Sequence, residues 1–170
     1  RLLNIQGCNV TMPNKTAAAQ NMDELSPAAE LIGAVNTIVN RDGKLYGHIT
    51  DGEGFVANLK DHGIGVEGKD IVIFGAGGAA TAIQVQCALD GARESSIFNI
   101  KDAFFERTLQ TAEKIKKAVP ECVVNVYDIA DTAKMTEEIQ SSDIFANATI
   151  VGMKPMDDQS VVKDLSAFRP

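Results

Sequence analysis

Tryptophan is absent from this 170-residue chain, and aromatic side chains make up only 5% of it. Its core must therefore be filled by aliphatic residues, and the 45% hydrophobic content is a normal supply for a globular chain. No apolar run approaches the ~20 residues that a membrane span requires, so no membrane role is expected. Positive charge is in deficit, since 16 Lys and Arg stand against 23 Asp and Glu for a net charge of −7. Phosphate backbones demand clustered Lys and Arg, so nucleic acid is excluded as the main partner. Cysteine is sparse. Cys8, Cys87 and Cys122 are widely spaced, odd in number and form no C-x-x-C pair. Neither a disulfide framework nor a metal site is indicated, and the expectation is buried free thiols in a reducing cytoplasm. His48 and His62 lack the i,i+4 spacing of helix-borne metal ligands. A secretory signal pattern is also missing. The chain starts at Arg1 without an initiator Met and stops at Pro170 just after an apolar run, so it is expected to be a piece of a longer protein.

What the chain does have is a concentrated signal at Ile71 to Ala80, IVIFGAGGAA. Four apolar residues run into Gly75-Ala-Gly77-Gly78-Ala-Ala80, and a helical pattern follows. This spacing predicts a strand, a tight turn and a helix N-terminus, the arrangement that receives a pyrophosphate. Gly75 lets the chain turn sharply. Gly77 lets the backbone approach the phosphates, and Ala80 is small where the helix packs close to the strand.

On either side the chain reads as mixed α and β. Residues 7–12 form a short strand ending at Pro13, and Asn14 caps a short helix through Ala17, Ala18 and Ala19. Ser26-Pro27 starts a second helix and Gly33 stops it. Residues 35–40 and 44–49 are strands joined at Arg41-Asp42-Gly43. Phe55, Val56 and Leu59 recur at helical spacing over 53–62. The glycine-rich joint at 63–68 marks the boundary between two units, 1–62 and 63–170. Beyond it strands at 70–74, 96–99, 122–127 and 143–146 alternate with helices at 79–89, 102–117 and 132–139. The long helix is expected to bury Phe104, Phe105, Leu109, Ala112 and Ile115. Strict strand–helix alternation predicts a doubly wound parallel sheet.

In such a sheet the end of the second strand selects the cofactor. Here Asn99-Ile-Lys101-Asp102 stands at that point. Asp102 is spaced to accept hydrogen bonds from a ribose, and it is equally well placed to cap the next helix. Lys101 could neutralise a 2′-phosphate, so the pair fits NAD or dual use. In the first unit Lys15 and Asp51 stand at chain turns beside the expected crevice. A Lys and an Asp meeting there could move the proton of a hydroxyl while its carbon gives up hydride. A solvated lysine and a turn-forming Asp-Gly are the alternative reading.

Taken together, Asn9-Val-Thr-Met-Pro-Asn-Lys15, Gly33-Ala-Val-Asn-Thr37, Thr50-Asp-Gly52, the glycine turn, and Asn147-Ala-Thr149 with Val151-Gly-Met153 resemble the shikimate dehydrogenase family. The likeness is strongest to its quinate/shikimate dehydrogenase branch. The segments occur in the family's order and span nearly the whole chain. The resemblance implies an α/β fold, a Rossmann-type doubly wound parallel sheet preceded by part of a smaller α/β substrate-binding domain. It implies NAD- or NADP-dependent interconversion of 3-dehydroshikimate and shikimate, or of 3-dehydroquinate and quinate. Lys15 would act as acid/base and Asp51 would pair with it. Asn36 and Asp51 would hold ring hydroxyls, with Asn9, Thr11 and Thr50 on the substrate side. Ala76, Gly77, Gly78 and Ala79 would cradle the pyrophosphate. Asn99, Lys101 and Asp102 would face the ribose, and Thr149, Val151 and Met153 the nicotinamide. The partner is then a small polyol acid, and the apolar first unit leaves a homodimer open.

Three departures from the family pattern bear on that expectation. Ile49 stands where the family has Asn, which could loosen the loop that aims Asp51. Ile100 stands where the family has Arg, which weakens the NADP case. The serine-rich turn for the substrate carboxylate lies upstream of Arg1 and a substrate-binding Gln lies downstream of Pro170, so this piece alone is expected to be inactive or nearly so. Ile49 and Ile100 also favour a second reading, a non-catalytic nucleotide-binding regulatory module of the same fold.

Overall fold

The computed structural model describes residues 5–169, apart from the side chain of Phe104. Two four-stranded sheets follow one another along the chain. The first contains β1 (Gly7–Asn9), β2 (Glu24–Leu25), β3 (Thr37–Arg41) and β4 (Lys44–His48) in the order β1-β3-β4-β2. Asp42 and Gly43 alone join β3 to β4, and both have positive φ, 53° and 86°. That is the backbone a two-residue type I′ hairpin needs. Helix α1 (Lys15–Ala19) follows β1, and α2 (Pro27–Ile32) follows β2. The Ser26 hydroxyl accepts from Ala29 N at 3.3 Å to open α2, and Gly33 closes it at φ 73°. The strand β2 was not expected. It is two residues long, paired parallel to β4, and too short to carry a periodicity of its own.

Helix α3 (Asp51–Asp61) and the glycine joint lead into the second sheet. Its strands are β5 (Asp70–Phe74), β6 (Glu94–Asn99), β7 (Val123–Asp128) and β8 (Ile144–Asn147), all parallel, in the order β7-β6-β5-β8. Between them run α4 (Gly78–Leu89), α5 (Ala103–Ala118) and α6 (Thr132–Ser141), and a single 3-10 turn at Leu165–Ala167 follows. The doubly wound reading is correct. Alternation along β5 explains why both faces are covered. Ile71 and Ile73 point into one core with residues of α4 and α5, while Val72 and Phe74 point into the other with Met135 and Ile139 of α6. Each fully buried Ile, Val or Phe contributes roughly 1.5–3 kcal/mol. The scarce aromatic rings are concentrated in the second core, where Phe74 lies 5.1 Å from both Phe98 and Phe145, centroid to centroid.

Two expectations about burial need correction. Leu109 does not belong to the buried stripe of α5, being 37% exposed; Thr108 takes the inward position at 3%. The stripe therefore runs through Thr108, Ala112 and Ile115 at helical spacing, and a polar residue inside it hid its phase. Cys87 and Cys122 are buried as expected, but Cys8 is exposed. It lies on β1, which pairs with β3 on one side only among the described residues. Among those residues no helix is long and apolar enough to cross a membrane.

Candidate active site

Lys15 opens α1 and Asp51 opens α3. The two meet, with Lys15 Nζ donating to Asp51 Oδ2 at 2.8 Å. A carboxylate in the first turn of a helix interacts favourably with the helix dipole; a lysine there does not, so helix stability gives no reason for Lys15. The side chains keep 27% and 39% of their surface, so the pair is open to a ligand.

Backbone and side-chain bonds from three segments aim the pair. Val35 N donates to Lys15 O at 3.0 Å and Asn36 N to His48 O at 2.9 Å. The Asn36 side-chain oxygen then accepts from Thr50 N at 3.1 Å, Thr50 Oγ1 at 3.3 Å and Thr37 Oγ1 at 3.0 Å. Among the described residues the Asn36 amide nitrogen has no acceptor, which leaves two N–H groups for a ligand. The Ile49 side chain is 3% exposed and packs in the core, while Asn36 holds the next residue's N–H. Asn9 and Thr11 lie further out. Asn9 donates weakly to Thr37 Oγ1 at 3.5 Å. Both border an open hollow of about 560 Å³ whose lining includes neither Lys15 nor Asp51.

The glycine turn has the geometry its spacing predicted. Gly75 sits at φ 112°, and a Cβ on it would lie 3.0 Å from Ala148 O. Only glycine fits there. Gly77 is extended and α4 begins at Gly78. Built Cβ atoms on Gly77 and Gly78 meet nothing within 4 Å, so their bare backbone faces open space. Gln84 supports the turn from inside. It is 1% exposed, and its amide donates to Gly75 O at 3.2 Å. Sequence reading missed Gln84, although one glutamine among the buried Ala80, Val85 and Ala88 of α4 is a legible signal that a buried polar partner must exist.

Beside the turn lies a hollow of about 290 Å³, bordered by Gly77, Asn99, Ile100, Asp102, Thr149 and Val151 among others. Lys101 is not in its lining. The Asn99 Nδ2 atom is buried with no partner among the described residues. A bare helix N-terminus with an orphaned donor at the end of the second strand fits a dinucleotide with its ribose there. A second, larger hollow of about 660 Å³ joins Gly77, Gly78 and Ala79 to Phe55 of α3 and to Met153. Asn147 organises that end by accepting from Thr149 N at 3.1 Å and Thr149 Oγ1 at 2.7 Å, and by donating to Val151 O at 3.0 Å. The Thr149 hydroxyl also accepts from Val151 N at 3.1 Å, so it is spent on the loop rather than held ready for a ligand. Asn147 stands in one of the segments that carry the resemblance, and only the folded loop shows what it holds.

A bare glycine turn at the head of a parallel sheet, in a chain that also sets a Lys–Asp pair at the starts of α1 and α3, defines an α/β protein of the Rossmann type. Residues 1–38 match the family model described as shikimate dehydrogenase substrate binding domain. Over all 170 residues the chain is 51% identical to shikimate dehydrogenase (NADP(+)) of Listeria monocytogenes, covering 58% of that protein. A solved structure of shikimate 5-dehydrogenase from Listeria monocytogenes, in complex with shikimate and NAD, superposes with a TM-score of 0.96 at 50% identity, over 99% of this chain and 58% of that one. Quinate dehydrogenase from Corynebacterium glutamicum, in complex with NAD, gives a TM-score of 0.82 at 28% identity, over 98% and 57%. The chain belongs to the shikimate dehydrogenase family. It spans 58% of the length of the curated relatives it matches.

Proposed function

We propose that the full-length protein carrying this chain is an NAD(P)-dependent oxidoreductase that interconverts shikimate and 3-dehydroshikimate, or quinate and 3-dehydroquinate. The observation that carries this reading is the 2.8 Å contact between Lys15 and Asp51 in a chain that also holds a bare glycine turn. Residues 1–62 form part of the substrate domain and residues 63–170 the nucleotide domain in this reading. Ala76, Gly77, Gly78 and Ala79 hold the pyrophosphate. Asn99 and Asp102 face the ribose, and Val151 and Met153 border the nicotinamide. When bound, the nucleotide supplies or accepts the hydride at the ring carbon.

The chain's own groups manage the proton. In the direction of reduction, Lys15 donates an N–H proton to the carbonyl oxygen as negative charge develops there. Asp51 accepts a second N–H of the same ammonium and so fixes its direction. In oxidation the amine form of Lys15 takes the hydroxyl proton. The free amide N–H groups of Asn36 donate to a neighbouring ring hydroxyl. A ring with several hydroxyls needs several fixed partners, and a site built for them rejects analogues lacking one.

The test is nicotinamide reduction by the full-length protein, with shikimate and quinate each offered with NAD and NADP. Turnover that falls by about 10²–10⁴-fold in Lys15→Ala and Asp51→Asn supports the reading. Nucleotide binding without turnover on either acid would favour the regulatory module instead. The tight Lys15–Asp51 pairing, kept in place despite Ile49, argues for the enzyme.

A further inference from the structure

Gly52 follows Asp51 in α3 and is buried, while Gly54, two residues further on, is exposed. Glycine is the costliest residue after proline in a helix interior, so two in the first turn of α3 call for reasons. Gly54 has none from packing, since a Cβ built on it meets nothing within 4 Å. Gly52 differs sharply. A Cβ there would clash with the Ala82 carbonyl oxygen and lie 2.6 Å from Gln86 Cβ, both on α4. The start of α3 thus rests directly on the backbone of the helix that begins at Gly78. Phe55, one turn along α3 from Asp51, borders the larger hollow together with Gly77 and Ile83.

We infer that Gly52 is a positioning residue that sets the spacing between the Lys15–Asp51 pair and the glycine turn. This rests on the dehydrogenase reading. Asp51 of the pair that moves the proton sits at the start of α3, and the turn that holds the nucleotide sits at the start of α4. The crossing of those helices at Gly52 fixes one against the other. Carbon atoms pack at about 3.5–4.0 Å, so a methyl at Gly52 parts the helices by on the order of 1 Å. A displacement of that size at a reacting centre costs about 100-fold in rate. The nucleotide hollow beside the turn is lined by no residue of α3, so its surface is left as it is.

The experiment compares full-length wild type, Gly52→Ala and Gly54→Ala. It measures kcat and KM with shikimate, the nucleotide Kd, and the isotope effect on kcat with shikimate deuterated at the carbon that is oxidised. Gly52→Ala is expected to lose about 100-fold in kcat, with KM and Kd changed less than about threefold and a larger isotope effect. Gly54→Ala is expected to match wild type. If Gly52→Ala does not fold, Gln86→Val opens the same crossing from the other side, with Gln86→Ala as its reference. It should then show the same split between kcat and KM. An unchanged kcat and isotope effect in the Gly52 variant, or in Gln86→Val, overturns the inference while leaving the enzyme reading intact. A loss explained wholly by a smaller active fraction, with an unchanged isotope effect, also overturns it. Wild type that turns over neither acid with either nucleotide overturns the dehydrogenase reading, and the inference with it.

Discussion

The side-chain oxygen of Asn36 accepts the backbone N–H of Thr50 at 3.1 Å, which pins the residue directly ahead of Asp51. One amide therefore links the end of the loop before β3 to the start of α3, and it does so with its acceptor while its donors stay free. The two ends of this amide can be separated by mutation. Asn36→Ala removes both and is expected to lower kcat and raise KM for shikimate. Asn36→Asp keeps the acceptor, so it should retain kcat better while KM rises by about tenfold, the loss of one hydrogen bond. Steady-state kinetics on the two variants checks this. Equal losses in both parameters for both variants would show that the tether and the ligand contact are not distinct.

Gln84 spends a buried amide on the carbonyl of Gly75. Gln84→Leu fills the space and leaves that carbonyl without its partner, at a cost of about 1–3 kcal/mol. The turn that faces the nucleotide then loses its internal support. Thermal unfolding should show the destabilisation, and nucleotide titration a Kd raised by about tenfold, equivalent to about 1.4 kcal/mol. A variant as stable and as tight-binding as wild type would contradict the role assigned to Gln84.

Ile100 exposes a large apolar side chain at the rim of the hollow that Asn99 and Asp102 also border. An arginine there would present a planar fork to a 2′-phosphate. Ile100→Arg is expected to raise the ratio of kcat/KM for NADP over NAD by at least about tenfold, since hydrogen bonds to charged groups are the stronger ones. An unchanged ratio would place the 2′-hydroxyl elsewhere.

Glu138 gives the fold a dependence on acid. Burial pushes its carboxyl up, but hydrogen bonds from Lys134 and Ser96 outweigh burial and hold it below the usual glutamate value of 4.5. The contacts are Lys134 Nζ at 2.7 Å and Ser96 Oγ at 2.6 Å. A lowered value means the unfolded chain takes up the proton first. The stability from Glu138 is thus complete above about pH 4.5 and is lost as pH falls through the lower folded value. Glu138→Gln should flatten the acid limb of melting temperature against pH. A limb as steep as that of wild type would assign the effect to other carboxylates, such as Asp143, which is also held low by the Asp70 N–H and by Lys69.

Much of the architecture was legible because its signals are local. Ser26-Pro27 with Gly33, the Asp42-Gly43 hairpin and the Gly75 turn each encode a backbone conformation within a few residues, and each is found where the sequence put it. Alternating strands and helices likewise fixed the parallel sheet. The sequence also named Lys15, Asp51 and Asn36 by their place in recognised segments. Only the tertiary structure decided what those residues touch. Lys15 and Asp51 are 36 positions apart, and their contact exists because Val35, Asn36 and His48 braid three segments together. The same holds for the inward turn of Thr108, the exposure of Cys8 at a sheet edge, the target of Gln84 and the crossing at Gly52. Each depends on which surface packs on which, and a residue's own neighbours in sequence carry no record of that.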